Sequence, residues 1–166
     1  MSNFKVGINL HQPHNENSHV ENLRKIVGNE PLILVGVAVA VVNDQGEFLL
    51  QKRRDGIWAV PGGFLELGES TEEAGRREVL EETGLELGNL DLVGVFSGKE
   101  YFVQLPNGDE FFPVTIAYIS KEIKGGHLKA DRIETTEAKF FKVNELPDGL
   151  NPLIKNLIKQ YVSSNT

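Results

Sequence analysis

Between Gly63 and Leu85 the chain runs GFLELGESTEEAGRREVLEETGL, and the reading of this stretch decides the fold. Its second half predicts a helix over Ser70–Leu85 with both ends marked. Ser70 is a good N-cap, and Glu73, three residues on, completes a capping box. Gly84 is a good stop, because glycine takes the left-handed conformation cheaply. At about 100° of rotation per residue, Glu78, Glu81 and Glu82 fall within an arc of roughly 100° on one face. Ala74 and Gly75 lie on the same side, so nothing bulky is expected to cover the carboxylates. Three like charges at this spacing destabilise a bare helix. A hard, oxygen-preferring cation such as Mg²⁺ or Mn²⁺ would relieve the repulsion. A solvated acidic face is the competing account, and the helix alone does not decide between them. The preceding loop, Pro61-Gly62-Gly63, favours the cation. Its glycines allow close backbone approach, and a carbonyl there adds a hard donor.

Working outward, Leu32–Val42 is the longest apolar run, and its valines favour a buried strand. Asn43-Asp44-Gln45-Gly46 is a turn and Glu47–Lys52 the returning strand. Arg53–Gly56 turns the chain again before the short apolar run Ile57–Val60. Upstream, Val20–Val27 predicts a short helix ending at Gly28. Residues 1–18 are polar and weakly patterned, and His11, His14 and His19 have no second cluster at ligand spacing. They read as a lead-in, loose or packed against a partner. Downstream, strands are predicted at Leu90–Leu105 and Glu110–Ile119, joined by the Pro106-Asn107-Gly108-Asp109 turn. Ser120–Thr136 reads mostly as loop, and Glu137–Val143 as a last strand. Asn151–Val162 has the apolar spacing of an amphipathic helix. There are no repeats and no linker. The expectation is one α/β domain over residues 32–162, preceded by an extension over residues 1–31.

Composition bounds the function. The 166 residues are 40% hydrophobic, enough for a real core. There is no cysteine, which excludes disulfides, thiolate metal sites and cysteine nucleophiles, and suits a reducing compartment. The net charge of -7 argues against a nucleic-acid polymer as partner. A small phosphorylated ligand stays open, since bound cations change the sign of a local site. Met1–Asn9 lacks a basic segment followed by an apolar one, and no run approaches the roughly 20 residues of a bilayer-spanning helix. No membrane partner and a cytoplasmic location are expected.

The quoted stretch resembles the Nudix box: Gly, five residues, Glu, seven residues, Arg-Glu, an apolar residue, any residue, Glu-Glu, any residue, Gly, an apolar residue. Gly63, Glu69, Arg77, Glu78, Val79, Glu81, Glu82, Gly84 and Leu85 meet it at every position. The resemblance implies an α/β/α sandwich around a mixed β-sheet. It implies a MutT-like pyrophosphohydrolase in which water attacks a bridging phosphorus with Mg²⁺ or Mn²⁺ as cofactor. By position, Glu78, Glu81 and Glu82 are the implied metal ligands, with the Gly62 carbonyl as a further one. Arg77 is the implied orienting residue, and it can reach Glu81 at i+4, with a salt bridge that has no catalytic duty as the competing account. Glu69 would brace the loop.

Family members differ in their general base. Glu134, on the Ser120–Thr136 loop, is the candidate here and Glu78 the fallback, with a solvated loop charge as the competing account for Glu134. In the family a tyrosine 16 to 18 residues after the box is associated with dinucleoside polyphosphates, and a proline there with ADP-ribose. Tyr101 stands 16 after Leu85, and the first downstream proline is Pro106. A half-buried strand tyrosine is equally ordinary. Trp58 and Arg54 are further candidate substrate contacts, with a core residue and a solvated cation as their plainer readings. The expected substrate is therefore a nucleoside diphosphate linked to another group: a dinucleoside polyphosphate, ADP-ribose or a nucleotide sugar, or a nucleoside triphosphate. A homodimer is expected by analogy only. Two alternatives use the same fold: a catalytically idle nucleotide-ligand sensor, which usually carries a DNA-binding segment not evident here, and an isomerase, to which nothing points.

Overall fold

The computed structural model describes residues 18–165, so the expectations for residues 1–17, including His11 and His14, lie outside the described residues. Helix α1 (His19–Val27) starts at Ser18, whose side chain accepts from Glu21 N, and stops at Gly28. Strand β1 (Leu32–Val41) is the axis of the molecule. It pairs in parallel with β8 (Glu110–Ser120), in register from Leu32 opposite Phe111 to Val41 opposite Ser120. On its other side it pairs antiparallel with β4 (Gly62–Phe64). Beyond β8 lie β6 (Asp91–Phe96) and β7 (Val103–Gln104), both antiparallel to it. A second antiparallel sheet has β2 (Phe48–Arg53) between β10 (Thr135–Phe141) and β3 (Trp58–Ala59). A two-stranded ladder joins β5 (Leu85–Leu87) to β9 (Ile123–Gly126).

Alternation along β1 and β8 builds two cores, because successive side chains point to opposite faces. Leu34, Ala38, Phe111 and Ile119 pack with Val20 of α1 and with Ile154 and Ile158 of helix α3 (Pro152–Ser164). Val37, Val39, Val41 and Tyr118 pack with Ala74 and Val79 of helix α2 (Thr71–Thr83). Helices thus cover both faces of a mixed sheet, the α/β/α sandwich expected. No helix among the described residues is long and apolar enough to cross a membrane.

Three expectations are corrected. Pro61-Gly62-Gly63 is not a free loop, because Gly62 and Gly63 begin strand β4. The single strand expected over Leu90–Leu105 breaks at Gly98, whose φ of 129° suits a residue without a side chain. A 3-10 turn over Lys99–Tyr101 follows, so Tyr101 sits in that turn and not in a strand. The stretch read as loop over Ser120–Thr136 contains β9. Its Gly125-Gly126 pair has little strand propensity of its own, and pairing with β5 supplies the structure.

Candidate functional site

Helix α2 forms as its caps predict. Ser70 accepts from Glu73 N, the Glu73 carboxylate returns a bond to Ser70 N, and Gly84 is left-handed at φ 74°. Its buried face is Ala74, Gly75, Glu78, Val79, Glu82 and Thr83, one stripe at i, i+4 spacing. Ala74 and Gly75 do not leave an open space above the carboxylates, as the sequence suggested. They seat the helix on the sheet, with Gly75 against Val39 and Leu90. That close seating presses Glu78 and Glu82 inward to 6% and 4% exposure, while Glu81 stays largely in solvent.

Strand β4 supplies the opposing wall. A β-carbon on Gly63 would overlap the Glu78 carboxylate, and one on Gly62 would overlap the Val37 carbonyl. Both glycines are needed for closeness, and neither has a positive φ. Pro61 O accepts from Val39 N at 2.9 Å, and Leu65 N donates to Val35 O at 3.0 Å. Positions 61, 63 and 65 therefore face β1, and Gly62 and Phe64 turn their carbonyls to the open edge. There the Phe64 carbonyl accepts from Arg77 Nη2 at 3.2 Å.

Arg77 ties the acidic residues together. Its guanidinium grips Glu69 through Nε at 2.6 Å and Nη2 at 2.9 Å. Nη1 donates to Glu78 at 2.8 Å and Glu81 at 3.3 Å. Glu69 Oε2 also accepts from Glu66 N, so the loop before α2 is braced by the same carboxylate. Partial burial works to raise the Glu69 carboxyl. The bonds from Arg77 and Glu66 N, together with the Arg77 charge, hold it below the usual range. Burial pushes Glu78 up to about 7 despite the pull of Arg77, and the charges of Glu81 and Glu134 add to the rise.

Glu134 is thus near enough to be felt at Glu78. Its loop is held by Asp131, whose Oδ1 accepts from the backbone N–H groups of Ile133, Glu134 and Thr135 and from the Thr135 hydroxyl. Arg54 clasps the same loop through the carbonyls of Ile133 at 2.6 Å and Arg132 at 2.9 Å. Trp58 lies in the core, edge-on to Phe141 at 4.9 Å, with Lys52 and Lys139 over its ring. Tyr101 packs against the α3-side core and lines an apolar cavity with Ala38, Val60, Phe96, Ala117 and Tyr161. Sequence reasoning missed Gln51. It is fully buried on β2 and donates to Glu82. The available signal was slight: an amide that directly follows the apolar run Phe48-Leu49-Leu50 and precedes Lys52.

Among the described residues no three acidic or imidazole groups converge as a metal cage, and Arg77 stands between Glu78 and Glu81. The donor set nevertheless fits a hard divalent ion: two buried carboxylates a helical turn apart, a third beside them and an edge carbonyl.

Helix, glycine cradle and mixed sheet define a domain of the Nudix class. The chain belongs to the Nudix family: the NUDIX domain model matches residues 32–161. It is 39% identical over 111 residues to the ADP-ribose pyrophosphatase of Methanocaldococcus jannaschii, covering 64% of this chain and 61% of that protein. It is 36% identical over 122 residues to the NAD-capped RNA hydrolase NudC of Vibrio atlanticus, covering 71% and 40%. The chain thus spans about two fifths to three fifths of these relatives. The crystal structure of the MutT NUDIX hydrolase from Burkholderia pseudomallei superposes with a TM-score of 0.64 at 27% identity, over 77% of this chain and 97% of that one.

Proposed function

We propose that this chain is a divalent-cation-dependent hydrolase that cleaves the pyrophosphate linkage of a nucleoside diphosphate joined to another group. The observation that carries the reading is the pair Glu78 and Glu82, buried on successive turns of α2, with Glu78 pressed against Gly63. The names of the two relatives agree with it, since each describes a hydrolase of a nucleotide derivative.

Glu78, Glu81, Glu82 and the Gly62 carbonyl would hold Mg²⁺, with Mn²⁺ as a substitute. The bound ion supplies charge neutralisation of the pyrophosphate and a more acidic water. The protein supplies the rest. Arg77 fixes the Glu78 and Glu81 carboxylates and brings positive charge to the phosphate side. Glu134 is the base in this reading. Glu78, with its carboxyl near neutrality, is the other group able to take a proton there. The segment from Val60 to Gly63 runs from the apolar cavity to the glycine cradle, and Ala38 on the cavity wall stands opposite Gly62. Tyr101 would be the stacking face for the base in this reading; it lines the apolar cavity on the α3 side of the sheet, the face opposite α2. Arg54 and Trp58 lie off that wall and make the contacts described above, so neither adds support as a substrate contact. The same reading has a cytoplasmic homodimer acting on a small nucleotide.

The test is a Mg²⁺ titration against ADP-ribose, dinucleoside polyphosphates, nucleotide sugars and nucleoside triphosphates, with product identification. Turnover should vanish with excess EDTA and return with Mg²⁺ or Mn²⁺. Full turnover in excess EDTA would overturn the reading, and tight nucleotide binding without turnover would favour the sensor.

A further inference from the structure

Gln51 is the central residue of the three-stranded sheet, opposite Ala138 of β10 and Ala59 of β3, and it is fully buried. Its Nε2 donates to Glu82 Oε2. The Nε2 end of the amide therefore faces the Glu82 carboxylate. The Gln51 Oε1 is then turned elsewhere, buried and without a hydrogen-bond partner among the described residues. Leaving a buried carbonyl unmatched is costly, and a methionine of similar volume would fill the same slot without that cost. Packing alone does not account for glutamine here. Both ends of the amide need partners, and one of them is a carboxylate of the cation site.

We infer that Gln51 is a positioning residue of that site: its amide holds the Glu82 carboxylate in place to receive the cation. This rests on Glu82 being a cation ligand, as proposed above. Partners of this kind set the direction of a ligand's lone pairs, and losing one commonly weakens metal binding tenfold to a hundredfold. A purely structural amide would not affect metal binding.

The experiment is a calorimetric titration of Mn²⁺ into the wild type, Gln51→Met, Glu82→Gln and the double variant. Gln51→Met should bind Mn²⁺ about ten to a hundred times more weakly, and its chelated form should stay folded while melting lower than the wild type, because Glu82 loses a buried donor. Its kcat should fall while KM changes little. The double variant should bind no worse than Glu82→Gln alone, because Gln51 acts through Glu82. Unchanged Mn²⁺ affinity in folded Gln51→Met, or losses that add in the double variant, would overturn the inference and leave the hydrolase reading standing. No Mn²⁺ binding by the wild type would overturn both. A measurement on the wild type covers the case in which the variant does not fold. The Gln51 side-chain amide resonances should shift as Mg²⁺ is added, with the midpoint of Mg²⁺ binding, and no shift at saturation would sink the idea.

Discussion

At the scale of single residues, the two adjacent glycines make a sharp comparison. The atom a β-carbon at Gly63 would meet is the far end of a side chain, whereas at Gly62 it is backbone. Gly63→Ala should therefore cost less stability than Gly62→Ala yet lower kcat at least about tenfold, because the Glu78 carboxylate is displaced. Gly62→Ala should cost about 1–3 kcal/mol of stability by overpacking. Denaturant titration beside steady-state kinetics separates the two, and equal stability losses would refute the distinction. Glu78 gives a prediction in pH. Its carboxyl is raised from 4.5 to about 7 by burial, so the folded state binds that proton more tightly. Its stabilising share is complete below about 4.5, declines as pH rises to about 7 and changes no further, a span on the order of 3 kcal/mol. In EDTA the stability of the wild type should fall across that window relative to Glu78→Gln, and parallel profiles would assign the pH dependence elsewhere. The acidic residues and their helical arc were legible in the sequence. Their unequal burial was not, because it depends on how closely Ala74 and Gly75 let α2 approach β1.

At the scale of elements, α2 was legible from its ends and not from an apolar stripe, since its buried face carries two glutamates and a threonine. Such a helix depends on its caps. Ser70→Ala should cost about 1 kcal/mol, seen as a melting temperature lower by about 2–4 °C. A shift of under a degree would mean that tertiary contacts alone hold the helix. Strands β4 and β9 were not legible because both are rich in glycine and take their structure from a partner, β1 in one case and β5 in the other. The break at Gly98 was equally hidden, since the residues on either side of it, Asp91–Phe96 and Phe102–Leu105, keep strand character. Long, self-sufficient strands such as β1 and β8 were found to within a residue or so of their ends.

At the scale of the whole molecule, Arg24 fastens α1 to the domain. It donates to the carbonyls of Gly28, Glu30 and Glu110 and lies 3.6 Å from Asp109, with both side chains only 8% exposed. No local pattern announces a partner 85 positions away, which is why residues 19–31 read as an extension. Arg24→Ala strands a buried carboxylate and should cost about 3 kcal/mol, while kcat of the folded fraction is unchanged. A kcat loss at full occupancy of the folded state would instead link α1 to the site. The parallel register of β1 and β8 carries a kinetic consequence. Leu32 and Phe111 are 79 positions apart, so the central pair cannot zip up until a long stretch of chain has been brought round, and a topology of that kind refolds slowly. Helix α2 lies inside that stretch. If it forms early, it shortens the distance the remaining coil must search, and Ser70→Ala should slow refolding and not only hasten unfolding. Stopped-flow chevrons decide this, since an unchanged folding arm would place the helix after the encounter of the two strands.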